Sequence, residues 1–226
     1  NSSMLKKIYY EILLKNFIKK TKFLFTVSEF TKKRIIDWTG VKESKIVVVG
    51  NGVDDQFNPL GEKYMPGYRY ILCVGNRKLH KNEDRIIRAF ALAKKEPDLK
   101  LVFTGAPTDS LNKEIRSFNL VGKVIFLGVV GESELPNVYR GALFLCFPSL
   151  YEGFGLPVIE AMASGIPVLT SNSSSLPEIS SGAAFLVDPL SVSEITRGME
   201  LLQFDYALRG ALISKGLMQA KIGRAH

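Results

Sequence analysis

The sequence predicts an α/β fold, a doubly wound parallel sheet of the Rossmann-like type. Three observations predict it: strand-length segments that are apolar at almost every position, helical segments that alternate with them, and glycine or proline at most junctions. Strands that are apolar on both faces need helices on both sides, as in parallel sheets. The expected strands are 70–75, 99–105, 123–128, 142–148, 166–171 and 183–188. The expected helices are 81–96, 109–118, 132–140, 156–164, a short one near Pro177 and further helices toward the C-terminus.

A smaller set of elements precedes this pattern. We expect a strand at 23–28 and a helix at 29–40, which Ser28 opens as N-cap and Gly40 closes, and then a strand that starts at residue 45. One or two strands cannot bury a sheet by themselves, so we expect residues 1–52 to be the last part of another domain together with a crossover linker. Residues 53–226 then form the Rossmann-like domain. We expect its C-terminus to be truncated, because residues 222–226 (IGRAH) are what a common sequencing adapter would encode.

Positive charge is concentrated at the N-terminus. The formal net charge is +8, and residues 1–45 hold 11 Lys and Arg against 4 Asp and Glu. Apolar residues recur at helical spacing through segment 4–22, with lysines around them, which fits either a solvated helix face or contact with an anionic membrane surface. No nucleic-acid-binding motif or aromatic platform accompanies the charge, so we expect no nucleic acid partner.

Two further features bear on the cellular setting. The apolar runs are strand-length, far short of the roughly 20 residues that a membrane-spanning helix needs. Cys73 and Cys146 each lie inside an apolar run, which predicts buried thiols and no disulfide. These observations predict a cytoplasmic protein that is in contact with, at most, the inner face of the cell membrane.

The first candidate site segment is 75-GNRKLHKNEDRIIRAF-90, a turn that follows a strand and leads into an amphipathic helix. Arg77, Lys78 and Lys81 cluster at the start of this helix, where cations oppose the helix macrodipole. A bound polyanion would reverse that cost, although surface lysines in a loop are the alternative. His80 is predicted to be a loop residue and not a metal ligand, since no partner is spaced near it.

The second segment is 126-FLGVVGESELPNVYRGA-142, where a strand ends and a helix with acidic residues at its N-terminus follows. It offers main-chain donors and acceptors beside apolar side chains, which suits the edge and face of a planar base. Ordinary packing of a strand, a turn and a helix explains the pattern equally well.

The third segment is 149-SLYEGFGLPVIEAMASGIPVLT-170. Pro157 suits a first helical turn, and the preceding glycines permit a tight approach that leaves backbone N–H groups free. Glu152 falls in the loop and Glu160 in the first turns of the helix. A carboxylate accepts two hydrogen bonds from vicinal hydroxyls, so one glutamate suits a ribose and the other a sugar, with phosphates between them at the helix N-terminus. A pair of surface glutamates is the alternative.

Together, GNRKLHKN, FLGVVGESEL and SLYEGFGLPVIEAMASGIPVLTSNSSSLPE resemble the C-terminal, donor-binding domain of retaining glycosyltransferases of family 4 (glycosyl transferases group 1), which have the two-domain GT-B fold. The resemblance extends from about residue 23 to residue 189. It includes TVSEFTK and GNGVD, and implies that the chain carries the C-terminal half of a GT-B fold with the tail of the N-terminal, acceptor-binding domain.

The resemblance also implies roles for individual residues. Arg77 and Lys81 would stabilise the donor diphosphate without a metal ion, and Glu160 would hold the ribose hydroxyls. The base would lie against Val130 and Leu135. The groups implied to contact the transferred sugar or the phosphates are Glu152, Gly153, Phe154, Gly155 and Leu156. This family retains the anomeric configuration, and its acceptor is thought to attack from the leaving-group face. The resemblance therefore does not require Glu152 to be a nucleophile.

These implications predict a hexosyltransferase, of mannosyl type, in polysaccharide biosynthesis. The donor would be a nucleotide-diphosphate sugar, with GDP-mannose favoured. The acceptor would be a glycan or a lipid-linked molecule, and no cofactor is expected. The fragment alone is expected to be inactive, because the acceptor domain precedes it. Two alternatives stay open: a non-catalytic module that binds nucleotide sugar or a membrane, and a sugar-nucleotide epimerase related to GT-B proteins.

Overall fold

The computed structural model describes residues 9–222 and contains two parallel sheets. The larger sheet has six strands, and every neighbouring pair in it runs parallel. In chain order these strands are β3 (Tyr70–Cys73), β4 (Lys100–Phe103), β5 (Val124–Phe126), β6 (Phe144–Phe147), β7 (Val168–Ser171) and β8 (Phe185–Val187). The smaller sheet pairs β1 (Leu24–Thr26) with β2 (Ile46–Val48).

Helices cover both faces of the six-stranded sheet. They are α3 (Glu83–Leu92), α4 (Asp109–Ser117), α5 (Leu135–Gly141), α6 (Leu156–Ala163), α7 (Leu176–Ser180), α8 (Val192–Phe204) and α9 (Tyr206–Ile222). One apolar core joins α3, α4 and α8 to one face of the sheet, and a second joins α5, α6 and α7 to the other. The four inner strands, β3, β4, β6 and β7, are buried on both faces, which confirms the predicted doubly wound α/β fold.

The order of the six strands fixes where a ligand can bind. From edge to edge it is β5-β4-β3-β6-β7-β8, so successive strands proceed outward from β3 in one direction and then outward from β6 in the other. β3 and β6 are neighbours, and the connections after their carboxyl ends diverge to opposite sides of the sheet. Doubly wound sheets have their binding crevice at such a reversal point. The segments that follow these two strands are the basic turn and the glycine-rich loop.

The residues before the crossover form a separate group. A π-helical segment (Tyr9–Leu14) continues as α1 (Lys15–Lys20), and α2 (Glu29–Thr39) lies between the two strands of the small sheet. The predicted caps of α2 are confirmed: the Ser28 hydroxyl accepts the Thr31 N–H, and Gly40 takes φ +68°. A short 3₁₀ turn, Glu43–Lys45, leads into β2.

Two predicted helices had wrong boundaries. The helix predicted at 81–96 begins at Glu83 because Asn82 takes φ +61°, a left-handed conformation that interrupts a helix. It ends at Leu92, so residues 93–96 lie outside it. The helix predicted at 132–140 begins only at Leu135, directly before Pro136, since proline is favoured in a first turn.

Segment 4–22 lies only partly within the described residues. Its residues 9–20 are helical and none of them is buried, so apolar side chains such as Ile12, Leu13 and Phe17 face solvent. Within residues 9–222 no helix is both long enough and apolar enough to span a bilayer. The expected truncation at 222–226 falls on residues that, apart from the backbone of Ile222, lie outside the described chain.

Candidate functional site

The basic turn after β3 is held to the ends of two other strands by Asn82. Its buried side-chain amide donates to the carbonyl oxygens of Pro148, at 2.9 Å, and Pro189, at 2.7 Å. Its Oδ1 accepts a hydrogen bond from Arg85 at 2.9 Å. Pro148 follows β6 and Pro189 follows β8, so one side chain fixes the turn against both loops.

Lys81 projects from this turn onto Glu152. Its Nζ lies 2.7 Å from Glu152 Oε1, and each side chain is only 13% exposed. The ammonium also lies 4.7 Å from the centroid of the Phe147 ring, within cation–π distance. The Ser149 hydroxyl lies 2.6 Å from the same carboxylate oxygen and 2.8 Å from the His80 carbonyl. The structure therefore brings together two of the predicted site residues at the β3–β6 reversal point.

Arg77 does not join this pair. It adopts φ +62°, and its Nη1 lies 2.9 Å from Glu83 Oε1. The guanidinium also donates to the Thr104 carbonyl and lies over the rings of Phe103 and Phe126. Burial raises the pKa of the Glu83 carboxyl, an effect that the neighbouring guanidinium opposes. Arg77 is thus occupied by a structural ion pair and contacts neither Glu152 nor Glu160.

The glycine-rich loop 152–155 is fixed through its carbonyl groups. The Ser175 hydroxyl lies 3.0 Å from the Glu152 carbonyl and 2.8 Å from that of Phe154. The Gly153 carbonyl accepts from Ser28 and Thr31, residues of the small N-terminal group. Because these carbonyls are held by hydrogen bonds, the backbone N–H groups of the same peptide units are fixed in the opposite direction.

Helix α6 begins without a side-chain cap. Its N-cap is Gly155, at φ +106°, and Pro157 lies in its first turn as predicted. The first N–H groups of a helix have no intrahelical acceptor, so an uncapped start is suited to an anion. Leu156 opens the helix and is 42% exposed, so the N-terminus is accessible to solvent.

Glu160 lies one turn into α6 and bonds to a tyrosine. Its Oε2 accepts a hydrogen bond of 2.7 Å from the fully buried hydroxyl group of Tyr139. Burial raises the pKa of the Glu160 carboxyl, and the Tyr139 hydrogen bond lowers it in part. Burial, and then the neighbouring Glu160 carboxylate, raise the pKa of Tyr139 well above its ordinary value, so this hydroxyl stays protonated and acts as a donor.

The predicted base site borders a cavity. The cavity has a volume of about 430 Å³ and is lined by Val130, Glu134, Tyr64 and Met65, among others. Val129 points into solvent and is 98% exposed, whereas Val130 and Leu135 pack partly against the core. A second cavity, of about 420 Å³, is lined by Arg77 and Glu83, among others.

Neither cysteines nor metal ligands contribute to this site. Cys73 and Cys146 are both free thiols in the core, as predicted. Burial raises the pKa of the Cys73 thiol well above its ordinary value. Across residues 9–222 no group of three or more His, Cys, Asp and Glu side chains is arranged to hold a metal ion.

Several residues of this arrangement were not predicted as site residues. They are Ser28, Thr31, Asn82, Tyr139, Ser149 and Ser175. All carry a hydroxyl or an amide, and each acts by fixing a predicted residue or its backbone. The segments TVSEFTK and SSLPE, which contain three of them, were part of the resemblance but were given no chemical role.

Comparison with protein families gives two adjoining matches. The model described as "Glycosyl transferases group 1" matches residues 54–217, and the model described as "Glycosyltransferase Family 4" matches residues 2–57. The two matches overlap only at 54–57, where the chain leaves the small sheet and enters the larger one.

Curated relatives and solved structures agree with these matches. The O-antigen chain mannosyltransferase RfbU of Salmonella typhimurium is 37% identical over 168 residues, which are 72% of this chain and 45% of that protein. The O-antigen chain mannosyltransferase B of Escherichia coli is 30% identical over 94% of this chain and 60% of its own length. The crystal structure of Anabaena HepE in complex with UDP and glucose superposes with a TM-score of 0.82 at 18% identity, covering 94% of this chain and 62% of that one.

The chain spans about half the length of the curated relatives that it matches. The family match nevertheless covers most of the residues present, and the fold is that of GT-B glycosyltransferases. On this basis the chain belongs to the glycosyl transferases group 1 family.

Proposed function

We propose that the chain is the donor-binding half of a retaining glycosyltransferase that transfers a hexosyl group, of mannosyl type, from a nucleotide-diphosphate sugar in polysaccharide biosynthesis. The observation that carries the proposal is the Lys81–Glu152 pair at the β3–β6 reversal point, beside the uncapped N-terminus of α6. A cation, a helix N-terminus and an acidic side chain in one crevice match a ligand with a diphosphate next to a sugar.

The diphosphate would lie between Lys81 and the N-terminus of α6. Negative charge develops on it as the bond to the sugar breaks, and a fixed ammonium with free N–H groups stabilises that charge without a metal ion. Glu152 and the backbone of Gly153, Phe154 and Gly155 would then contact the sugar, with Leu156 near the phosphates. If the acceptor attacks from the face that the leaving group vacates, Glu152 need not be a nucleophile and would act by binding the sugar.

Arg77 would have to move in order to reach the diphosphate. Its Nη1 is close to Glu83 Oε1, yet the two atoms are not aligned for a hydrogen bond, and its buried Nε has no acceptor among the described residues. A buried guanidinium with unmet donors gains by turning toward an anion. We therefore assign Arg77 to the diphosphate in the donor-bound state, in which the Glu83 carboxylate would contact solvent in place of Arg77.

Glu160 would hold the ribose hydroxyls. Tyr139 occupies one carboxylate oxygen and orients the group, which leaves Oε1 available to a ligand. The base would lie in the cavity that Val130 borders, close to Leu135. The mannosyl assignment, and GDP-mannose as donor, are supported by the O-antigen mannosyltransferases that the chain resembles.

The domain boundary belongs to the same proposal. Residues 1–52 would be the end of the acceptor domain with the crossover, and 53–226 the donor domain. The separate two-stranded sheet and the change of family model at 54–57 support this division. A glycan or lipid-linked acceptor would bind on the other side of the crevice. The 226-residue chain alone would therefore bind the donor without transferring its sugar.

Titration calorimetry on the 226-residue chain tests the proposal. GDP, UDP, GDP-mannose and UDP-glucose are each titrated into the wild-type chain, Glu160→Ala and a control, Glu43→Ala, whose side chain is exposed on the N-terminal group. We expect GDP-mannose to bind most tightly, Glu160→Ala to weaken it about tenfold or more, and the control to match wild type. If no nucleotide binds, or if Glu160→Ala binds as tightly as wild type, the donor assignment is wrong.

A second, compatible function is contact with an anionic membrane through segment 4–22. The exposed Ile12, Leu13 and Phe17 stand beside Lys15, Lys19 and Lys20, a combination suited to the interface of an acidic bilayer. Flotation with vesicles of neutral or anionic lipid tests it. We expect binding to anionic vesicles only, and its loss when these three lysines become glutamate, whereas unchanged flotation would refute it.

A further inference from the structure

The N-terminus of α2 touches the glycine-rich loop from across the crossover. The Ser28 hydroxyl donates to the Gly153 carbonyl at 2.6 Å, and the Thr31 hydroxyl donates to the same oxygen at 3.0 Å. Ser28 is fully buried. A carbonyl oxygen has two lone pairs, so both acceptor positions of Gly153 are taken by residues more than 120 positions earlier in the chain.

Glu178 fastens the same helix start to the donor domain. Its two carboxylate oxygens accept the backbone N–H groups of Glu29, at 2.8 Å, and Phe30, at 3.2 Å. These N–H groups have no intrahelical acceptor, and a carboxylate at a helix N-terminus is also favoured by the macrodipole. The Phe30 ring also meets the Tyr151 ring edge-on, with 5.4 Å between the ring centroids, which adds an aromatic contact between α2 and the loop after β6.

These bonds determine the orientation of one peptide unit. In a trans peptide the N–H points opposite to the carbonyl, so fixing the Gly153 carbonyl fixes the direction of the Phe154 N–H. The two flanking peptide units are fixed differently, because their carbonyls bond to Ser175 within the donor domain. Of these three units, the middle one alone depends on residues that precede the crossover.

We propose that Ser28, Thr31 and Glu178 form a clasp that positions the Phe154 N–H for the donor sugar, so that sugar recognition depends on the docking of the N-terminal group onto the donor domain. The inference rests on the proposed function, since that function places the loop against the sugar. The diphosphate and ribose groups do not need the clasp. Lys81, Glu160 and the N-terminus of α6 are all held within the donor domain.

The clasp therefore affects one part of the ligand. Loosening it should weaken the contribution of the sugar to binding and leave the contribution of the nucleoside diphosphate unchanged. If these residues only stabilised the fold, their loss would weaken the sugar and the nucleoside diphosphate contributions alike, because general loosening of the crevice moves all contacts. The ratio of the affinities for GDP-mannose and GDP is thus the diagnostic quantity.

Thr31 offers a matched pair of variants. Thr31→Val keeps the shape of the side chain and removes the hydroxyl, whereas Thr31→Ser keeps the hydroxyl. Glu178→Ala removes the carboxylate from the helix start. Ser117→Ala is the control, because its hydroxyl bonds only locally, to the Glu114 carbonyl.

The experiment is calorimetry of the full chain with GDP and GDP-mannose, together with hydrogen–deuterium exchange of peptides that cover residues 150–156. We expect Thr31→Val and Glu178→Ala to lower the affinity ratio about three- to tenfold, as for the loss of one hydrogen bond, with GDP affinity unchanged. Thr31→Ser and Ser117→Ala should keep the wild-type ratio. Exchange in the loop should be faster in the first two variants only.

The outcomes separate the clasp from the function on which it rests. Equal loss of affinity for both ligands, or an unchanged ratio in Thr31→Val and Glu178→Ala, overturns the clasp and leaves the donor assignment standing. If wild type binds neither ligand, the proposed function fails. In that case hydrogen–deuterium exchange still tests whether the clasp holds the loop. Unchanged exchange of residues 150–156 in Thr31→Val would show that it does not.

Discussion

The Nζ atom of Lys81 lies 2.7 Å from Oε1 of Glu152, at the point where the strand order of the large sheet reverses. The two residues lie 71 positions apart, and β3 and β6 bring them together because these strands are neighbours. A pair that is 13% exposed on each side is partly desolvated, so its two charges depend on each other more than those of a surface ion pair do.

A double-mutant cycle with Lys81→Met and Glu152→Gln should show this dependence. We expect each single variant to lose about 1–3 kcal/mol of unfolding free energy, because the remaining group keeps its desolvation cost without its partner. The double variant should lose less than the two together. Urea unfolding provides the free energies. The more exposed pair Arg69–Glu96 is the control, with an expected coupling of about 0.2–1 kcal/mol. Additive losses at Lys81 and Glu152 would contradict the coupling.

The Glu160 carboxyl should make stability depend on pH. Burial raises its pKa in the folded chain above the ordinary value of 4.5, while the unfolded chain keeps that value. The folded state therefore holds the proton more tightly. Stability relative to the non-titrating variant Glu160→Gln falls as pH rises above the unfolded value and levels off above the folded one.

Tyr139→Phe sharpens this measurement. It removes the hydrogen bond that lowers the Glu160 pKa, so the fall in stability should extend to higher pH than in wild type. Unfolding by urea between about pH 4 and pH 8 provides the comparison. A difference between wild type and Glu160→Gln that does not change with pH would show that burial leaves this carboxyl unperturbed.

Asn82 should be among the polar residues to which stability is most sensitive. Asn82→Ala leaves the carbonyls of Pro148 and Pro189 without their donor and places alanine at φ +61°. We expect a loss of about 3–7 kcal/mol, from about 1–3 kcal/mol for each of the two unsatisfied carbonyls and about 1 kcal/mol for alanine in this backbone conformation. Asn82→Gly removes the same hydrogen bonds, but glycine adopts a positive φ without steric strain. It should therefore be about 1 kcal/mol more stable than Asn82→Ala.

The matched control is Asn119→Ala. Asn119 also has positive φ, +55°, but it is exposed and its side chain holds no strand ends together. Its replacement should cost only the backbone term, about 1 kcal/mol. Thermal unfolding of the three variants distinguishes these contributions. Equal losses at residues 82 and 119 would mean that the Asn82 hydrogen bonds contribute nothing.

Much of the fold follows from local chemistry that a sequence displays. The caps of α2, the position of Pro157 in α6 and the apolar strands depend on residues within a few positions of each other. Lys81 and Glu152 each lie in a segment that follows an expected strand, and the carboxyl ends of parallel strands meet at one edge, so their approach to one crevice follows from the fold class. Boundaries were harder to predict: the φ of Asn82 depends on carbonyls that lie 66 and 107 residues away.

The orientation of single side chains could not be predicted in this way. Arg77 turns toward Glu83 because the rings of Phe103 and Phe126 and the Thr104 carbonyl offer its guanidinium a buried position. That choice depends on packing among β3, β4 and β5, and the turn sequence does not reveal it. The contacts of Ser28 with Gly153 and of Glu178 with α2 also join distant segments, so neither TVSEF nor SSLPE reveals its role alone.

The two glycines of the EGFG loop should respond differently to the same substitution. Gly155 has φ +106°, and a Cβ added there would lie 2.6 Å from Leu176 Cδ2, so Gly155→Ala must strain the backbone and shift the buried Leu176 side chain. Gly153 has no such conformation, and the nearest atom to an added Cβ is Thr31 Oγ1 at an ordinary 3.6 Å. We expect Gly155→Ala to cost about 2–5 kcal/mol, from about 1–2 for the conformation and about 1–3 for the overlap. Gly153→Ala should change stability by less than about 1 kcal/mol. Urea unfolding of both variants checks the contrast, and a larger loss at Gly153 than at Gly155 would show that the start of α6 does not depend on a left-handed N-cap.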